Sequence, residues 1–337
     1  MDGYHEAAAR LRTVLSEDPD MMELVRFATL AANGHNTQPW RFAVRETGVS
    51  IIPDFSRRTP VADPDDHHLY VSLGCAAENF LIAAAAHGRP GALGFDDRRD
   101  GRIDIDLATA SPQVGALYDA IPHRQSTRSM YDGRVVSADD LKRLEAAAAI
   151  DGVSMKLITD NAGREAVVDH VVEGNSAQMD DPAFVRELKD WIRFNPSDAL
   201  RTGDGLFSAT SGNPTIPTWF GKLMFGWFFD KDAENQKYAN HLRSSAGVAV
   251  FIGEKEDRDH WVRVGRSFQR FALQATALGI RTAHINQPIE VRSVRPEFAN
   301  WLGIGAARPD LVVRFGAAPP LPMSMRRAVD AVIVPTV

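Results

Sequence analysis

The chain of 337 residues has little of what several protein classes require. It contains a single cysteine, Cys75, so an intramolecular disulfide is impossible and a metal site would have to use other side chains. The net charge is −6, which provides no general attraction to nucleic acid or to an anionic membrane surface. We therefore expect neither a disulfide framework nor a nucleic-acid partner.

Long apolar runs are also missing. The most apolar stretch, "FGKLMFGWFF" (220–229), includes Lys222 and is far shorter than the roughly 20 residues that a membrane span needs. The first 20 residues carry acids and lack the basic start and apolar core of a signal peptide, and they favour a short amphipathic helix. The sequence thus predicts a cytoplasmic protein without a membrane partner.

Two nucleotide-binding signatures are absent from the sequence. No G-x-G-x-x-G opens a strand–helix unit, and no G-x-x-x-x-G-K-[ST] loop occurs, so Rossmann and P-loop sites have no support. The run "DPDDHH" (63–68) offers possible metal ligands, but Asp65, Asp66, His67 and His68 are consecutive and adjacent side chains diverge. We interpret this run as an exposed turn before a helix, and we predict no metal site.

What the sequence does contain is an internal similarity. The segment "VSLGCAAENFLIAAAAHG" (71–88) aligns with "VRVGRSFQRFALQATALG" (262–279) at one constant offset. Each segment predicts a helix with an early glycine, Gly74 or Gly265, and a terminal glycine cap. Because an early glycine weakens a helix, its recurrence predicts that the backbone packs closely against a neighbour.

A second pair of segments extends this similarity. "ELVRFATLAA" (23–32) resembles "DLKRLEAAAA" (140–149), and a β-like stretch follows each. We predict an α+β protein in which two similar units, each a mixed sheet covered by helices, form an internal pseudo-dimer. The predicted parts are an N-terminal helix (1–20), a first half (21–120) and a second half (121–337) with a lid-like insertion (197–230). The alternative is a chance alignment of two alanine-rich helices.

The two halves carry different polar motifs, which suggests one composite site. In "NGHNTQPW" (33–40), the amides of Asn36 and Gln38 can both donate and accept hydrogen bonds, which suits the edge of a flat heterocycle. Trp40 could pack against the same wall. The alternative is an ordinary helix cap followed by a turn.

The second half has arginine and serine clusters at both ends, in "HRQSTR" (123–128) and "PMSMRR" (322–327). Guanidinium groups and a hydroxyl are the donors that a phosphate prefers. The residues that could close on one such anion are Arg124, Ser126, Arg128, Ser324, Arg326 and Arg327. The alternative for each cluster alone is a basic surface turn.

Four motifs together, "RQSTR", "NTQPW", "LGIRTAHINQP" and the closing "RFG…PMSMRR", resemble the nitroreductase-like flavoproteins. The match is closest to the Acg-like branch, in which two nitroreductase units are fused in one chain. The resemblance implies that FMN binds at the seam between the two units. The residues it assigns to FMN are Asn36, Gln38, Trp40, Arg124, Ser126, Arg128, Ile285, Asn286 and Gln287. Near the C-terminus the phosphate would be bound by Arg326 or Arg327, with Arg314 as a further alternative, and Ser324 lies in the same cluster as the first two. The sequence departs from the pattern at 33–35, where typical members carry Pro-Ser-Ser, and at Asn286, where many carry an acid.

The resemblance also implies an activity, in which NAD(P)H reduces the flavin and the flavin then reduces a quinone or a nitroaromatic compound. No residue is assigned as catalytic, because the cofactor performs the chemistry. The alternatives are a protein that sequesters FMN without turnover and a flavin-dependent dehydrogenase or oxidase of a specialised metabolite. Because the chain supplies its own partner, we expect a monomer or a weak homo-oligomer.

One aromatic segment separates these alternatives. Its residues Trp219, Phe220, Phe225 and Trp227 could form a lid over the flavin that sets substrate shape or blocks access. The alternative is an insertion that only covers the core.

Overall fold

The computed structural model describes residues 1–228 and 230–335, with side chains described except at 226–228. Its first sheet has the strand order β11-β1-β2-β4-β3. These strands are β1 (Trp40–Arg45), β2 (Gly48–Pro53), β3 (Gly91–Asp96), β4 (Arg102–Leu107) and β11 (Ile333–Val334). The pairs are antiparallel except that β11 lies parallel to β1.

The second sheet has the order β5-β8-β10-β9, with antiparallel pairs throughout. Its strands are β5 (Val153–Ile158), β8 (Gly247–Gly253), β9 (Arg281–His284) and β10 (Leu311–Gly316). A single parallel bridge joins Ser126 to Thr282 at its edge. Two short parallel strands, β6 (Ile192–Arg193) and β7 (Leu206–Phe207), form a separate pair.

Helices cover both sheets. They are α1 (Asp2–Arg10), α2 (Met21–Thr29), α3 (His67–Ala86), α4 (Ala116–Ala120), α5 (Ala138–Ala148), α6 (Asn161–Asp180), α7 (Pro182–Trp191), α8 (Pro196–Thr202), α9 (Thr218–Phe228), α10 (Lys231–Arg243), α11 (Arg258–Ala277), α12 (Gln287–Glu290) and α13 (Arg295–Trp301). The predicted α+β class is therefore confirmed.

The long helices α3 and α11 cross at the centre of the protein. A Cβ on Gly74 would lie 2.0 Å from the carbonyl oxygen of Val262, and a Cβ on Gly265 would lie 2.0 Å from that of Val71. The predicted close backbone packing of the two early glycines is confirmed. The contact is reciprocal. Gly74 is aligned with Gly265 and Val71 with Val262, and each glycine packs against the valine of the other helix.

Side-chain caps start both of these helices. The Asp257 carboxylate accepts the backbone N–H of His260 at 2.9 Å, as an N-cap residue does. At α3 the cap comes from farther upstream, because Asp63 accepts the N–H groups of His68 and Leu69, both at 3.0 Å. Helix α3 is long and apolar enough to cross a membrane, but 83% of its apolar window is buried, as in the core helix of a globular protein.

The end of the chain returns to the first sheet. The backbone N–H of Phe42 donates to the carbonyl oxygen of Val332 at 2.7 Å, and β11 then extends beside β1. The predicted second half (121–337) thus contributes the edge strand of the first sheet. The two halves are joined by this strand as well as by the α3–α11 contact.

Candidate functional site

A cavity of about 410 Å³, here the main cavity, lies at the seam between the two predicted halves. The first half contributes Gly34 and His35 from the turn after α2, and Val71, Ser72 and Cys75 from α3. The second half contributes Arg128, Tyr238, Phe268 and the run from His284 to Gln287. One chain thus builds both walls of the cavity.

A smaller cavity of about 40 Å³ adjoins the main one, and we call it the arginine pocket. The two cavities share Ala32, Asn33, Arg128 and Leu206 as lining residues. The polar and charged side chains of the arginine pocket are Arg12, Asn33, Asn36, Arg124, Gln125, Ser126, Arg128, Ser324 and Arg326. Among the residues that the structure describes, four arginines and no carboxylate line it, so this pocket favours an anion.

Arg128 lies where the two cavities meet. Within the described part of the chain it has neither a hydrogen bond nor an ion pair, and burial lowers its pKa. Burial, and then the charge of Arg128, lowers the pKa of His35 to about 4 and that of His284 to about 3. Both imidazoles are therefore neutral at pH 7, and Arg128 is a cation without a counterion.

Arg12 is a member of the arginine pocket that sequence reasoning missed. It follows α1 and donates from Nη1 to the carbonyl of Ala8 and from Nη2 to that of Ser324, both at 2.8 Å. Burial, and then the charge of Arg124, lowers the pKa of Arg12 to about 10. Nothing in "AARLRTV" (8–14) distinguishes this arginine from a solvent-exposed one, so only the fold reveals it.

Arg124 and Ser126, which are predicted to bind a phosphate, both line the arginine pocket. Arg124 donates from Nη2 to the carbonyl of Leu30 at 3.0 Å, while its buried Nε has no partner among the described residues. Burial lowers its pKa to about 10. Ser126 and Ser324 line the same pocket, so two motifs far apart in sequence meet there.

Two arginines predicted to bind the anion are used within the protein instead. Arg314 donates to the carbonyls of Thr127, Ser129 and His241, and its guanidinium lies 4.0 Å from the ring centroid of Tyr131. Arg326 donates to the carbonyls of residues 29–31, at the end of α2, to its neighbour's carbonyl and to Asn36 Oδ1. The guanidinium groups of both arginines mainly bind carbonyl groups of the protein, although Arg314 lines the main cavity and Arg326 lines the arginine pocket.

The predicted role of Gln38 is wrong for this structure. Its Nε2 donates to the carbonyl of Gly203 at 2.9 Å, and its Oε1 accepts the backbone N–H of Arg327 at 2.9 Å. Fully buried, Gln38 lines neither of the two cavities described. Its amide joins the turn to the second half rather than contacting a ligand.

Trp40 and Arg327 are likewise outside both cavities. Trp40 is fully buried in the core at the start of β1, where it pairs with Pro53. Arg327 donates to the carbonyl of Ala331 at 2.7 Å and lies 3.9 Å from Asp54. Their assignment to the ligand is corrected, because each is committed to packing or to a local ion pair.

The turn itself is strained, which sequence reasoning did not foresee. His35, Asn36 and Gln38 have φ angles of 47°, 53° and 54°, in the left-handed region that non-glycine residues rarely adopt. Asn33 Oδ1 holds the N–H of Gln38 at 2.9 Å, and Asn36 Nδ2 donates to the carbonyl of Gly205 at 3.0 Å. Strain that is over-determined by such contacts is typical of ligand sites.

The segment from Ile285 to Gln287, assigned to FMN by the resemblance, lines the main cavity. It is fixed to β10, since Ile285 donates its N–H to the carbonyl of Val312 at 2.9 Å and Asn286 Oδ1 accepts the N–H of Val312 at 3.0 Å. Gln287 Oε1 is buried without a partner in the described structure. This oxygen is therefore available to accept a hydrogen bond from a ligand.

The insertion (197–230) does face the main cavity, but through residues other than the described aromatics. Its lining side chains include Leu206 of β7, Ser208, Ser211 and Ile216, and Phe194, just before the insertion, lines the cavity too. These residues precede the apolar helix α9, so the chain before that helix forms part of the cavity wall.

Three of the predicted aromatic lid residues, Trp219, Phe220 and Phe225, are not among the residues that line the main cavity. Trp219 is 70% exposed, and Phe225 is buried with its ring centroid 6.4 Å from that of Phe194. The ring centroid of Phe220 lies 5.6 Å from that of Trp219. The side chain of Trp227 is outside the described part of the structure. The described aromatics of α9 stand on the surface or behind the wall, so their assignment as a lid over the cavity is corrected.

The run "DPDDHH" is not an exposed turn. Asp63 is 5% exposed and His67 is 1% exposed, and Asp63 and His68 line the main cavity. The two imidazole rings lie with centroids 4.6 Å apart, so the adjacent side chains do not diverge as predicted. The start of α3 is thus a buried polar cluster beside the cavity.

Cys75 is a buried thiol. It is 1% exposed, and its Sγ lies 3.2 Å from the carbonyl oxygen of Gly265. Burial raises its pKa to about 12, so the thiolate is not formed at pH 7. The thiol therefore provides no nucleophile.

Two proteins of Mycobacterium tuberculosis (strain H37Rv) match almost the whole chain. One, provisionally named NAD(P)H nitroreductase Rv3131, is 28% identical over 348 residues, which cover 99% of this chain and 96% of the relative. The other, provisionally named NAD(P)H nitroreductase Acg, is 25% identical over 326 residues, which cover 91% and 93%. No protein-family profile matches the chain.

Solved structures show a weaker likeness. The FMN-dependent nitroreductase NfnB of Mycobacterium smegmatis, in complex with NADPH, is 15% identical with a TM-score of 0.40, over 66% of this chain and 94% of NfnB. A nitroreductase of Bacteroides fragilis with bound FMN is 16% identical with a TM-score of 0.38, over 61% and 90%. The two full-length relatives of M. tuberculosis confirm the resemblance of this chain to the nitroreductase-like flavoproteins and to their Acg-like branch.

Proposed function

We propose that this chain is an FMN-dependent NAD(P)H oxidoreductase of the nitroreductase type, which passes reducing equivalents to a small planar acceptor such as a quinone or a nitroaromatic compound. The names of the relatives Rv3131 and Acg support the reaction class. The single observation that carries the cofactor is Arg128, a half-buried cation without a counterion in the described chain, which lies between the main cavity and the arginine pocket.

The arginine pocket fits the phosphate of FMN. Removing a guanidinium from water is costly unless an anion pairs with it, and the pocket offers four arginines with no carboxylate. Arg12, Arg124 and Arg128 would hold the phosphate charge, with the hydroxyls of Ser126 and Ser324 as neutral donors. Arg326 would hold the turn in place, because most of its donors already bind carbonyls.

The main cavity fits a flat ring system. Neutral His35 and His284 each have one N–H to donate, and Gln287 Oε1 can accept, which together suit a ring edge with alternating donors and acceptors. When bound, FMN supplies the electron-transfer chemistry. The protein's own part is to orient the ring, to exclude water and to place the Arg128 charge near it.

The main cavity would also receive the acceptor. Its apolar lining side chains include Phe184, Leu188, Ile192, Phe194 and Ile216, which suit a planar aromatic compound. We name no catalytic residue, since the described geometry requires no side chain to transfer a proton.

A single chain suffices for this proposal. His35 from the first half and Arg128 from the second meet at the main cavity, so a partner subunit is not needed to complete it. We propose a monomer that contains its own pseudo-dimer interface, with at most weak self-association. A cytoplasmic location would give it access to NAD(P)H.

Anaerobic stopped-flow absorbance tests the reaction. Mixing the FMN-loaded chain with NADH or NADPH should bleach the flavin band, and adding a quinone should restore it. Bound flavin that stays oxidised with both nucleotides would contradict the enzyme and leave a sequestering protein. Reduction by an organic substrate but by neither nucleotide would instead indicate a dehydrogenase or oxidase.

A further inference from the structure

We propose that Asp63, His67 and His68 form a binding site for one divalent transition-metal ion in the wall of the main cavity. Each residue offers one ligand atom, and the three atoms all lie within 4.8 Å of one another. Two imidazoles and one carboxylate are a ligand set that Zn²⁺ and Fe²⁺ accept in proteins.

His67 has the contacts expected of a metal ligand. Its Nε2 lies 2.9 Å from Asp310 Oδ1, whereas its Nδ1 is buried and has no hydrogen-bond partner in the described chain. A metal-binding imidazole commonly gives its other N–H to a carboxylate, which fixes the tautomer and the ring. Asp310 is itself held, because its Oδ2 accepts the N–H of Gly253 at 2.6 Å. The orphaned Nδ1 is thus pre-oriented, and a buried nitrogen without a partner points to a ligand.

The other two side chains remain available for coordination. Asp63 accepts two backbone N–H groups, which fix its carboxylate and leave lone pairs on both oxygens. It forms no ion pair with any lysine or arginine that the structure describes. The His68 ring reaches Asn286 Nδ2 only at 3.5 Å and Glu290 Oε1 only at 3.7 Å, so neither contact commits the imidazole.

Charges of both signs lie near the cluster. Asp310 contacts His67, and Glu290 lies 3.7 Å from His68. Arg308 and Arg295 act on the same imidazoles, and Arg308 is paired with Asp65 and Glu256 at 2.6 and 2.9 Å. The proposed site therefore depends on its three ligand atoms and not on an excess of negative charge around them.

The three side chains would have to move together to hold an ion. Around a tetrahedral ion with bonds of ~2.1 Å, ligand atoms lie ~3.4 Å apart, whereas the three atoms of this cluster lie within 4.8 Å of one another, so closure requires a shift of up to ~1.4 Å. Three protein ligands leave at least one coordination position free. Since Asp63 and His68 line the main cavity, that position faces it, where water or a substrate oxygen would bind.

Zinc binding tests the proposal with a readout other than activity. The purified full chain is treated with a chelator, and Zn²⁺ alone is then titrated by isothermal calorimetry and by equilibrium dialysis. We expect one Zn²⁺ per chain. His67→Gln and Asp63→Asn should each weaken binding by at least ~100-fold, and Asp310→Asn, which acts through His67, by ~10–100-fold.

The matched control is His123→Gln, which removes an exposed imidazole remote from the cluster and should leave binding unchanged. Retained FMN content and melting temperature show that each variant is folded. No binding up to about 100 µM Zn²⁺ would overturn the proposal, and so would binding that the cluster variants do not weaken. Either result would leave the proposed flavin function untouched.

Anomalous diffraction decides the same question without any variant. A zinc-soaked crystal of the unaltered protein should show a peak at the zinc edge among Asp63, His67 and His68. A map without that peak, or with zinc only at surface histidines, would overturn the site even if all the cluster variants failed to fold.

Discussion

Gly74 of α3 faces the backbone of Val262 in α11 so closely that a Cβ would lie 2.0 Å from the Val262 carbonyl oxygen. Gly265 faces Val71 with the same separation, so the contact repeats with the two helices exchanged. This crossing sets how closely the two halves approach. The main cavity opens at the same seam, with Val71 and Cys75 in its wall.

Gly74→Ala should therefore destabilise the protein by about 2 kcal/mol or more, because the methyl group would have to displace backbone and not a flexible side chain. Urea unfolding followed by circular dichroism measures the change. Gly3→Ala is the matched control in a helix, since no atom lies within 4 Å of the Cβ it would add. It should be neutral or stabilising by up to ~1 kcal/mol, and an equally mild Gly74→Ala would contradict the close packing.

Arg128→Met should raise the Kd for FMN by ~10–100-fold, because a charge-assisted hydrogen bond contributes ~1.5–3 kcal/mol. Fluorescence titration of FMN with the FMN-free protein measures it. Arg134→Met removes an exposed arginine that pairs with Asp132, and it should leave the Kd unchanged. Equal affinities for the two variants would refute the role of Arg128 as the counterion.

Arg12→Met should weaken FMN binding by about tenfold, since Arg12 lies in the arginine pocket although it comes from the N-terminal segment. Arg10→Met, two residues earlier, removes an arginine that is 71% exposed and pairs with Glu6. The same titration should show wild-type affinity for that control. A wild-type Kd for Arg12→Met would remove Arg12 from the phosphate site.

His241 should make the stability of the protein depend on pH. Burial, and then the charge of Arg314, lowers the pKa of His241 from 6.5 to about 4. As the pH falls, the unfolded chain therefore binds a proton at this imidazole before the folded chain does. The contribution of neutral His241 to the free energy of unfolding is fully present above pH 6.5 and is lost as the pH falls toward 4. When the pH is lowered from 7 to 5, the free energy of unfolding of His241→Gln should therefore rise by about 1–2 kcal/mol relative to that of wild type.

Urea denaturation at the two pH values measures this difference for wild type, for His241→Gln and for His123→Gln. The last variant changes an exposed histidine and should follow wild type. A difference between His241→Gln and wild type that stays constant with pH would show that His241 is not held neutral in the fold.

Local patterns in the sequence predicted the elements that depend on neighbours along the chain. The early glycines, Gly74 and Gly265, recur because two backbones touch there. The sequence reveals this contact because glycine is unfavourable within a helix and is kept in both segments. The return of β11 to the first sheet was not predicted. A strand of two residues has no periodicity, and its pairing with β1 depends entirely on tertiary contacts.

Three of the motif residues, Arg124, Ser126 and Arg128, line the arginine pocket, and their assignment to a ligand stays a prediction. Gln38 instead donates to the carbonyl of Gly203, which lies 165 residues away in the chain. An amide can serve a ligand or a distant carbonyl equally well, and the sequence does not distinguish the two. Arg12 escaped notice for the same reason, because its neighbour Ser324 is 312 residues away.

The central claim is that one chain, by itself, holds one FMN between its two halves. Size-exclusion chromatography with light scattering and flavin absorbance measures mass and cofactor content together. We expect a yellow species near 37.0 kDa with one FMN per chain. A colourless chain that takes up no FMN on incubation, or flavin bound only by a dimer at one FMN per two chains, would contradict it.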